Sequence, residues 1–329
     1  MRSSNLPESV RVTAPARLHL GFLDLNGGLG RRFGSIGLAI DQPATELVLT
    51  RAERLEAKGL ETQRAMKALE RFTAVLGLTG GYRAEVLSAL QPHAGLGSGT
   101  QLALSVGVGL ATLEGIDAKS RNLGEVVSRG ARSAIGMASF ALGGFFVDGG
   151  RGRGDLSPPV LIRQRFPEAW RVVLILDPKA TGVHGDREAR AFASLPEFPA
   201  SAAGHLCRLV LMRLVPGLID ADIDAFGSAV TEIQAIVGNH FAPQQGGSPW
   251  SHPAVGRIAA KLTKAGAVGI GQSSWGPTGF GFLPDEAAAA SLYSSLVQEA
   301  RDEGLEIRIV RGRNAGARLE TFPNAEPCP

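Results

Sequence analysis

The glycine-rich stretch 92–100 is the feature that most constrains how this chain folds. It reads Pro-His-Ala-Gly-Leu-Gly-Ser-Gly-Thr and separates a strand candidate, 82–90, from an apolar helical run, 101–113. Glycines let a backbone turn tightly and approach a ligand closely, and the start of a helix carries unpaired N–H groups and partial positive charge. The pattern predicts a strand–loop–helix unit. Its loop either binds an anion, most often phosphate, or is a turn in which Ser98 or Thr100 caps the helix.

Strand and helix signals alternate along the rest of the chain. Apolar residues at helical spacing predict a helix over 60–76, and a β-branched apolar run predicts a strand over 170–176. The segment 151–159 between them is rich in glycine, proline and charge, which is typical of a boundary. We therefore expect an α+β protein with two domains, residues 1–165 and 166–329.

Composition excludes several classes of function. Hydrophobic residues make up 44% of the 329 residues, enough for a substantial core, and the net charge is only +3. Basic residues are scattered and aromatic residues are 6% of the chain, so we expect no nucleic-acid partner. Two cysteines, Cys207 and Cys328, cannot form a zinc cluster alone, and a reducing cytoplasm is expected. A polar N-terminus and the absence of a long apolar run predict no signal peptide and no membrane span.

Three motifs resemble those of the GHMP superfamily, which includes galactokinase and the homoserine, mevalonate and phosphomevalonate kinases. Residues 92–98 are similar to its second motif, Pro-x-x-x-Gly-Leu-Gly-Ser-Ser, with Gly99 in place of the last serine. Residues 12–15 resemble the opening motif, and 269–281 stand where the third, glycine-rich motif is expected. The resemblance implies a two-domain fold, with an N-terminal domain like ribosomal S5 domain 2 and a ferredoxin-like C-terminal domain.

Within that superfamily, the chain is most similar to the β-ribofuranosylaminobenzene 5′-phosphate synthases. The matching stretches are 16–24, 129–136, 143–150 and 271–277. This resemblance implies that 5-phosphoribosyl-1-diphosphate (PRPP) condenses with 4-aminobenzoate or 4-hydroxybenzoate, releasing diphosphate and CO2 and forming a C-riboside in tetrahydromethanopterin biosynthesis. It also implies Mg²⁺ and a cytoplasmic homodimer. The alternatives are an ATP-dependent small-molecule kinase of the superfamily and a non-catalytic nucleotide-binding relative.

One position separates the synthase from the kinase. Many GHMP kinases carry Ser-Gly-Ile-Asp followed by a Gly-Gly pair, and that aspartate is their catalytic base. Here residues 133–136 read Ser-Ala-Ile-Gly at the same spacing before Gly143 and Gly144, so Gly136 stands in the place of the aspartate. A glycine accepts no proton, and this favours the synthase.

The resemblance and the residue types indicate candidate catalytic and metal-binding residues. His19 is expected to act as an acid or hydrogen-bond donor, with a structural role as the alternative. Arg132 is expected to face the substrate, and His184 lies in a loop after a strand. For magnesium we expect Asp24 and Ser98, although Asp24 also fits a turn before Asn26.

The remaining candidates are expected to bind substrate or phosphate. Trp275 is expected either to stack on the aromatic acceptor or to pack under its loop. The roles of Arg31, Arg32 and Arg129 are left open between phosphate or carboxylate binding and a solvated loop. The full set of candidate binding residues is Arg17, Gly95, Leu96, Gly97, Ser98, Gly99, Thr100, Gln245, Gln272, Ser273, Ser274 and Trp275.

Overall fold

Two β-sheets organise the chain, which a computed structural model describes over residues 6–118, 123, 127, 132–152, 157–182 and 185–323. The described strands of the first sheet are β1 (Ser9–Asp24), β2 (Phe33–Ala52), β3 (Glu56–Gly59), β4 (Gly81–Ser88), β5 (Phe145–Asp148), β6 (Val160–Gln164) and β11 (Arg318–Phe322). Their main order is β11-β1-β2-β4-β3, with β5 paired to β2 and β6. Neighbours run antiparallel except β3 and β4.

The second sheet has the topology that the sequence predicted for the C-terminal half. Its strands are β7 (Arg171–Leu176), β8 (Val268–Gln272), β9 (Gly279–Leu283) and β10 (Glu306–Val310). They pair antiparallel in the order β10-β7-β9-β8. This is the fourth, first, third and second strand of the sheet in chain order, with helices in the first and last connections, which is the ferredoxin-like arrangement. The predicted α+β class is confirmed.

Helices cover both sheets. In the described part of the chain they are α1 (Thr62–Leu76), α2 (Ser98–Leu113), α3 (Ile135–Ala141), α4 (Gly185–Ser194), α5 (Ala200–Leu209), α6 (Val215–Ile219), α7 (Ile223–Phe241), α8 (Pro253–Lys264) and α9 (Glu286–Asp302). A π turn (Val210–Leu214) joins α5 to α6, and a 3₁₀ turn (Ala242–Gln244) follows α7. The ends follow ordinary capping chemistry. The Asp222 carboxylate accepts from the amides of Asp224 and Ala225, and Gly77 ends α1 at a φ of 67°.

One continuous hydrophobic cluster joins the two sheets. It contains Leu18 and Leu20 of β1, Phe226 of α7 and Phe280 of β9, all with 0% exposure. A second cluster lies under α1 and α2, and a third lies under α8 and α9. Because the first cluster spans both sheets, it fixes their relative position and holds the loops at their junction.

Two features depart from the expected organisation. A proline usually interrupts a strand, but β1 runs through Ala14-Pro15, where Pro15 pairs with Ala44 at a register shift in the ladder. The predicted domain boundary near residue 165 falls between β6 and β7, and β11 returns from the C-terminal side to pair with β1.

One described helical stretch, Ala200–Ile219, is long and apolar enough by composition to cross a membrane, with a mean hydropathy of 1.4. This corrects the expectation that no segment has that length. Within the fold, Leu206, Val210 and Leu214 of this stretch are buried in the cluster between the sheets. The same test is passed by core helices of this kind, so it is weak evidence for a membrane.

Candidate functional site

The glycine loop leads directly into α2 and opens on a cavity. The helix begins at Ser98, and Gly97 occupies the position before it at a φ of 83°. No side chain caps the helix, so neither Ser98 nor Thr100 has the capping role that the sequence left open. The amides of the first turn are therefore available to a ligand. The cavity beside them, which we call the anion cavity, has a volume of about 250 Å³.

Two glycines are needed where the loop meets its neighbours. Gly95 has a φ of 82°, and a Cβ there would lie 2.2 Å from the carbonyl oxygen of Ser273. A Cβ on Gly97 would lie 3.0 Å from Cγ of Arg17. The loop thus packs against the third motif on one side and β1 on the other, and side chains at these positions would separate them.

A buried serine of the third motif connects the glycine loop to β1. The Ser273 hydroxyl donates to the carbonyl oxygen of Gly95 at 2.6 Å and accepts from the amide of His19 at 3.0 Å. Arg17 adds a backbone contact, donating its amide to the carbonyl oxygen of Leu96 at 3.1 Å. Ser273 is fully buried, and its hydroxyl has a structural role in the described residues, joining the loop to β1.

The anion cavity gathers most of the predicted phosphate-binding residues. Its lining also contains three ionisable residues that were not among the candidates: Arg64 of α1, Glu188 of α4 and His93, whose φ of 57° is unusual for a non-glycine residue. The complete lining is Arg17, Arg64, His93, Gly95, Gly97, Ser98, Gly99, Thr100, Glu188, Ser274, Trp275 and Gly276.

Positive charge dominates this lining. Arg17 donates to the carbonyl oxygen of Gly95 at 2.7 Å, and burial lowers its pKa to about 10, an effect that Glu188 partly offsets. Arg17 is therefore still protonated at neutral pH. The Glu188 carboxylate is paired with Arg132 at 2.6 Å, and the Arg132 guanidinium lies 4.5 Å from the centre of the Phe192 ring. Arg132 does not line the cavity itself but holds Glu188, which does. The arrangement suits a ligand with several negative charges.

His19 lies behind the loop in a neutral state. It is 3% exposed, and burial, together with the charge of Arg17, lowers its pKa to about 3. An imidazole with that pKa is neutral near pH 7 and can donate one hydrogen bond and accept another through its ring nitrogens, and the expected role as an acid stays a prediction. The ring lines a narrow cavity of about 20 Å³, enough for about one water molecule.

Glutamine side chains form the wall of that narrow cavity. Gln272 donates from Nε2 to Oε1 of Gln245 at 3.0 Å and to the carbonyl oxygen of Ser274 at 3.1 Å. Oε1 of Gln272 accepts from the backbone amide of Ser251 at 2.7 Å, and the backbone amide of Gln272 donates to Oε1 of Gln234 at 2.8 Å. Gln245 and Gln272, both predicted from glycine-flanked turns, are thus brought together. Ser274 lines this cavity and the anion cavity, so the two adjoin.

Trp275 lies under the third-motif loop. It is 2% exposed, and its ring stacks on Phe241 with centroids 4.4 Å apart and an interplanar angle of 20°. Phe192 contacts it edge-on at 5.1 Å. This packing is the role that the structure shows for the indole, and stacking on a substrate ring stays a prediction.

Several candidates lie away from the anion cavity. The Asp24 carboxylate accepts from the amides of Asn26 and Gly27 at 2.7 and 2.9 Å, which makes it a turn residue, and it lines none of the cavities described here. Arg31 donates to the carbonyl oxygens of Gly149 and Gly150, and Arg32 donates to that of Leu25. These arginines stabilise loops. His184 and Arg129 lie outside the described residues.

Gly136 lies beside the anion cavity, as the motif alignment predicted. It belongs to α3, and a Cβ there would be 3.0 Å from Cγ2 of Thr100, a lining residue. Gln101 holds this turn by donating to the carbonyl oxygen of Gly136 at 2.8 Å. The position at which a kinase would carry its aspartate therefore faces the start of α2 and has no side chain.

Sequence comparison decides the family. The chain is 32% identical over 328 residues to the β-ribofuranosylphenol 5′-phosphate synthase of Methanothermobacter thermautotrophicus, covering 93% of this chain and 97% of that protein. It is 31% identical to the synthase of the same name from Archaeoglobus fulgidus, covering 94% and 99%. The chain belongs to the β-ribofuranosylphenol 5′-phosphate synthase family. Residues 62–144 and 214–302 match the GHMP kinases N terminal domain and the GHMP kinases C terminal region.

The family shares its fold with GHMP kinases. The crystal structure of homoserine kinase from Cytophaga hutchinsonii superposes with a TM-score of 0.66 over 97% of this chain and 100% of that one, at 17% identity. Mevalonate kinase superposes with a TM-score of 0.67 at 12% identity, over 92% and 99%. At these identities the likeness establishes the fold alone.

A third cavity in this synthase-family protein contrasts with the other two. We call it the neutral groove. It has a volume of about 270 Å³, lies between α7, α8 and β8, and shares Gln234, Pro249 and Gln272 with the narrow cavity. Its lining carries no ionisable side chain and consists of Thr231, Gln234, Ala235, Asn239, Pro249, Trp250, Gly256, Ala259, Ala260, Thr263, Ile270, Gly271 and Gln272.

The described residues fit a magnesium ion that is shared with a ligand. They contain no group of three or more His, Cys, Asp and Glu side chains able to hold a metal by themselves. The anion cavity does place the Ser98 hydroxyl and the Glu188 carboxylate in one lining. Mg²⁺ in proteins commonly takes one or two carboxylates and completes its shell with substrate phosphates and water, so this donor set suits it. Asp24 is not part of that set.

Proposed function

We propose that the protein transfers the phosphoribosyl group of PRPP to 4-hydroxybenzoate, releasing diphosphate and CO2 and forming β-ribofuranosylphenol 5′-phosphate, a step of tetrahydromethanopterin biosynthesis. The phenol in the names of the archaeal relatives supports 4-hydroxybenzoate over 4-aminobenzoate. The observation that carries the proposal is a positively charged cavity beside Gly136, where a kinase would carry its base.

The reaction balances without a protein base. The ring carbon that bears the carboxylate attacks C1 of the ribose, and the C1–O bond breaks with its electron pair leaving on diphosphate. The bond from the ring carbon to the carboxylate then breaks, and its electron pair restores the aromatic ring as CO2 departs. No proton has to leave the ring carbon. A site without an aspartate at residue 136 and with a neutral His19 is compatible with this sequence of steps.

The chain's own contribution is electrostatic. Negative charge grows on the leaving diphosphate as the C1–O bond lengthens. Fixed positive groups beside it therefore stabilise the transition state more than they stabilise the bound substrate. Arg17 and the amides at the start of α2 are positioned for this in the anion cavity. Arg17 is anchored to Gly95, so little reorganisation is needed when the diphosphate forms.

Magnesium, when bound, would neutralise part of the diphosphate charge. Ser98 and Glu188 are the residues that we propose to hold it. Arg132 would keep the Glu188 carboxylate in place through their ion pair. Gln245, Gln272 and Ser274, at the adjoining narrow cavity, are proposed to bind the aromatic acid, and that cavity has to widen to admit a ring.

The kinase alternative makes a contrary prediction in one assay. The full chain is incubated with PRPP, Mg²⁺ and carboxyl-labelled 4-hydroxybenzoate, with carboxyl-labelled 4-aminobenzoate in a parallel arm. PRPP-dependent release of labelled CO2 supports the proposal, and the faster arm identifies the acceptor. Consumption of ATP with homoserine or mevalonate, without CO2 release in either arm, would show a kinase.

A further inference from the structure

The departure of this chain from the second GHMP motif has a structural counterpart. Gly99 lies in the first turn of α2, and its φ is outside the left-handed region, so its backbone does not require glycine. A Cβ at this position would lie 3.2 Å from Nη2 of Arg64. That distance is tighter than ordinary van der Waals contact, and a serine side chain would extend further. Gly99 therefore leaves the space that the Arg64 guanidinium occupies.

Arg64 is held in that space from behind. Its Nη1 donates to Oε2 of Glu61 at 3.0 Å, and its Nη2 donates to Oγ of Ser98 at 3.4 Å. Glu61 adopts a left-handed conformation, with φ 50° and ψ 34°, just before α1 begins. Such a conformation costs about 1–2 kcal/mol for a residue with a side chain, and strain of this kind is concentrated at functional sites.

The two arginines of the anion cavity flank the same three residues. Arg17 lies against Gly97 and Arg64 against Gly99, and a Cβ at either glycine would be closer to the arginine than ordinary van der Waals contact, at 3.0 and 3.2 Å. A guanidinium carries five N–H donors, and the contacts of Arg64 with Glu61 and Ser98 use two of them. Among the residues that the structure describes, its other donors have no hydrogen-bond partner, so they can reach a ligand at Ser98. Two guanidiniums beside a helix start form a site that can take both phosphates of a diphosphate.

We infer that Arg64 is a substrate-binding residue that grips the diphosphate of PRPP opposite Arg17, and that Gly99 is the substitution that admits it. A serine at this position would require the Arg64 guanidinium to shift away from Ser98. The inference rests on the proposed function for the identity of the substrate, but its binding chemistry can be tested with inorganic diphosphate alone.

The first test removes the guanidinium. Arg64→Gln, Arg64→Lys and the control Lys67→Gln are compared with the wild-type chain by titration calorimetry with inorganic diphosphate and Mg²⁺. Lys67 is an exposed cation on the same helix and is not part of the cavity lining, so it controls for net charge. We expect Arg64→Gln to weaken diphosphate binding about 10- to 100-fold, Arg64→Lys to weaken it less, and Lys67→Gln to change it less than about 2-fold. The KM of PRPP should rise in parallel and that of 4-hydroxybenzoate should not.

The second test asks whether Gly99 acts through Arg64. Gly99→Ser alone should weaken diphosphate binding, because the guanidinium has to move. In the Arg64→Gln background it should cost nothing more, since the shorter side chain leaves room, and a double-mutant cycle measures this coupling. Additive effects would overturn the link between the two residues.

The outcomes separate this inference from the proposed function. If Arg64→Gln melts at the wild-type temperature and binds diphosphate as the wild type does, the inference is wrong even when PRPP is turned over. If the wild type binds diphosphate through Arg64 but releases no CO2 from either benzoate, the inference stands and the proposed reaction is wrong. A wild-type chain that binds no diphosphate contradicts both.

Discussion

The anion cavity and the neutral groove have almost the same volume, about 250 and 270 Å³, but they are built differently. The anion cavity is lined by the glycine loop, the start of α2, the third motif and single residues of β1, α1 and α4, and two of its non-glycine residues, His93 and Ser274, have positive φ values of 57° and 58°. The neutral groove is lined mainly by regular positions on α7, α8 and β8, without an ionisable group. Size alone would rank them equally. Converging charge and a strained backbone distinguish the cavity suited to a phosphate ligand.

The largest expected difference between the two regions comes from removing Arg17. Arg17→Gln should lower kcat/KM for PRPP about 1,000-fold, since truncating a buried, hydrogen-bonded charge commonly costs 2–5 kcal/mol or so. The matched change in the groove, Asn239→Ala, should alter it less than about 2-fold, as expected for a surface polar group away from the site. Steady-state kinetics with varied PRPP measure kcat/KM for both variants. Equal losses would contradict the assignment of PRPP to the anion cavity.

Alanine substitutions can compare a glycine that is packed against a neighbouring loop with a glycine that is not. Gly95→Ala should lower the free energy of unfolding by about 3 kcal/mol, because the new Cβ meets a backbone oxygen in addition to an unfavourable φ. Gly246 also has a positive φ, 74°, but a Cβ there would meet nothing within 4 Å. Gly246→Ala should cost only about 1 kcal/mol. Urea unfolding of the two variants measures the difference in their free energies of unfolding. Similar midpoints would mean that the loop at Gly95 can move away from Ser273 at little cost.

His19 predicts a pH dependence located next to the anion cavity. Its pKa falls from an ordinary value of 6.5 to about 3 in the folded protein, so the unfolded chain binds the proton first. The stabilising contribution is complete above pH 6.5 and is lost as the pH falls from 6.5 toward 3. Between pH 7 and 4.5 the loss should be about 2–3 kcal/mol. His19→Gln should flatten this part of the stability profile, measured by urea unfolding at each pH, and an unchanged slope would contradict the assignment.

A smaller effect is expected from the hydroxyl at the start of α2. Ser98→Ala should raise the KM of PRPP about 10-fold, the size of one hydrogen bond to a charged group. The melting temperature should not change, because Ser98 does not cap the helix. Thr263→Val in the neutral groove is the matched loss of a hydroxyl and should leave the KM unaltered. A fall in melting temperature without a kinetic change would return Ser98 to a structural role.

The smallest change is expected where the groove has its largest side chain. Trp250→Ala should enlarge the neutral groove and alter kcat/KM for PRPP less than about 2-fold, because the residue touches neither the narrow cavity nor the anion cavity. The same kinetic assay checks this. A loss comparable to that of Ser98→Ala would make the groove part of the site.

The sequence predicted those parts of the site that are local. Gly97, Ser98, Gly99 and Thr100 are contiguous, and local glycine and helix signals were enough to place them. Arg17 and Ser274 could be added because the motifs occur in a known order. Arg64 and Glu188 could not, since they reach the cavity only through the packing of α1 and α4. His93 was missed because it stands at a position that the second motif leaves variable.

The magnesium candidate Asp24 and the strand β11 show two further limits of local signals. Asp24 was expected to bind magnesium, but the Asn-Gly pair that follows it favours a turn in which its carboxylate accepts backbone amides. The sequence also gave no signal for β11, whose side chains are mostly exposed and do not alternate between buried and exposed. β11 forms because it pairs with β1, and a pairing between distant segments leaves no local pattern in the sequence.

That partner strand has a consequence for how the protein is made. β1 pairs with β2 on one side and with β11 on the other, where Ser9 lies opposite Phe322. A ribosome produces β11 long after β1, so the outer edge of β1 stays open while all the residues between them are made. An open strand edge is a template for pairing with other chains. Newly made chains that stop before residue 318 would therefore aggregate through their N-terminal half, although the missing residues lie at the other end.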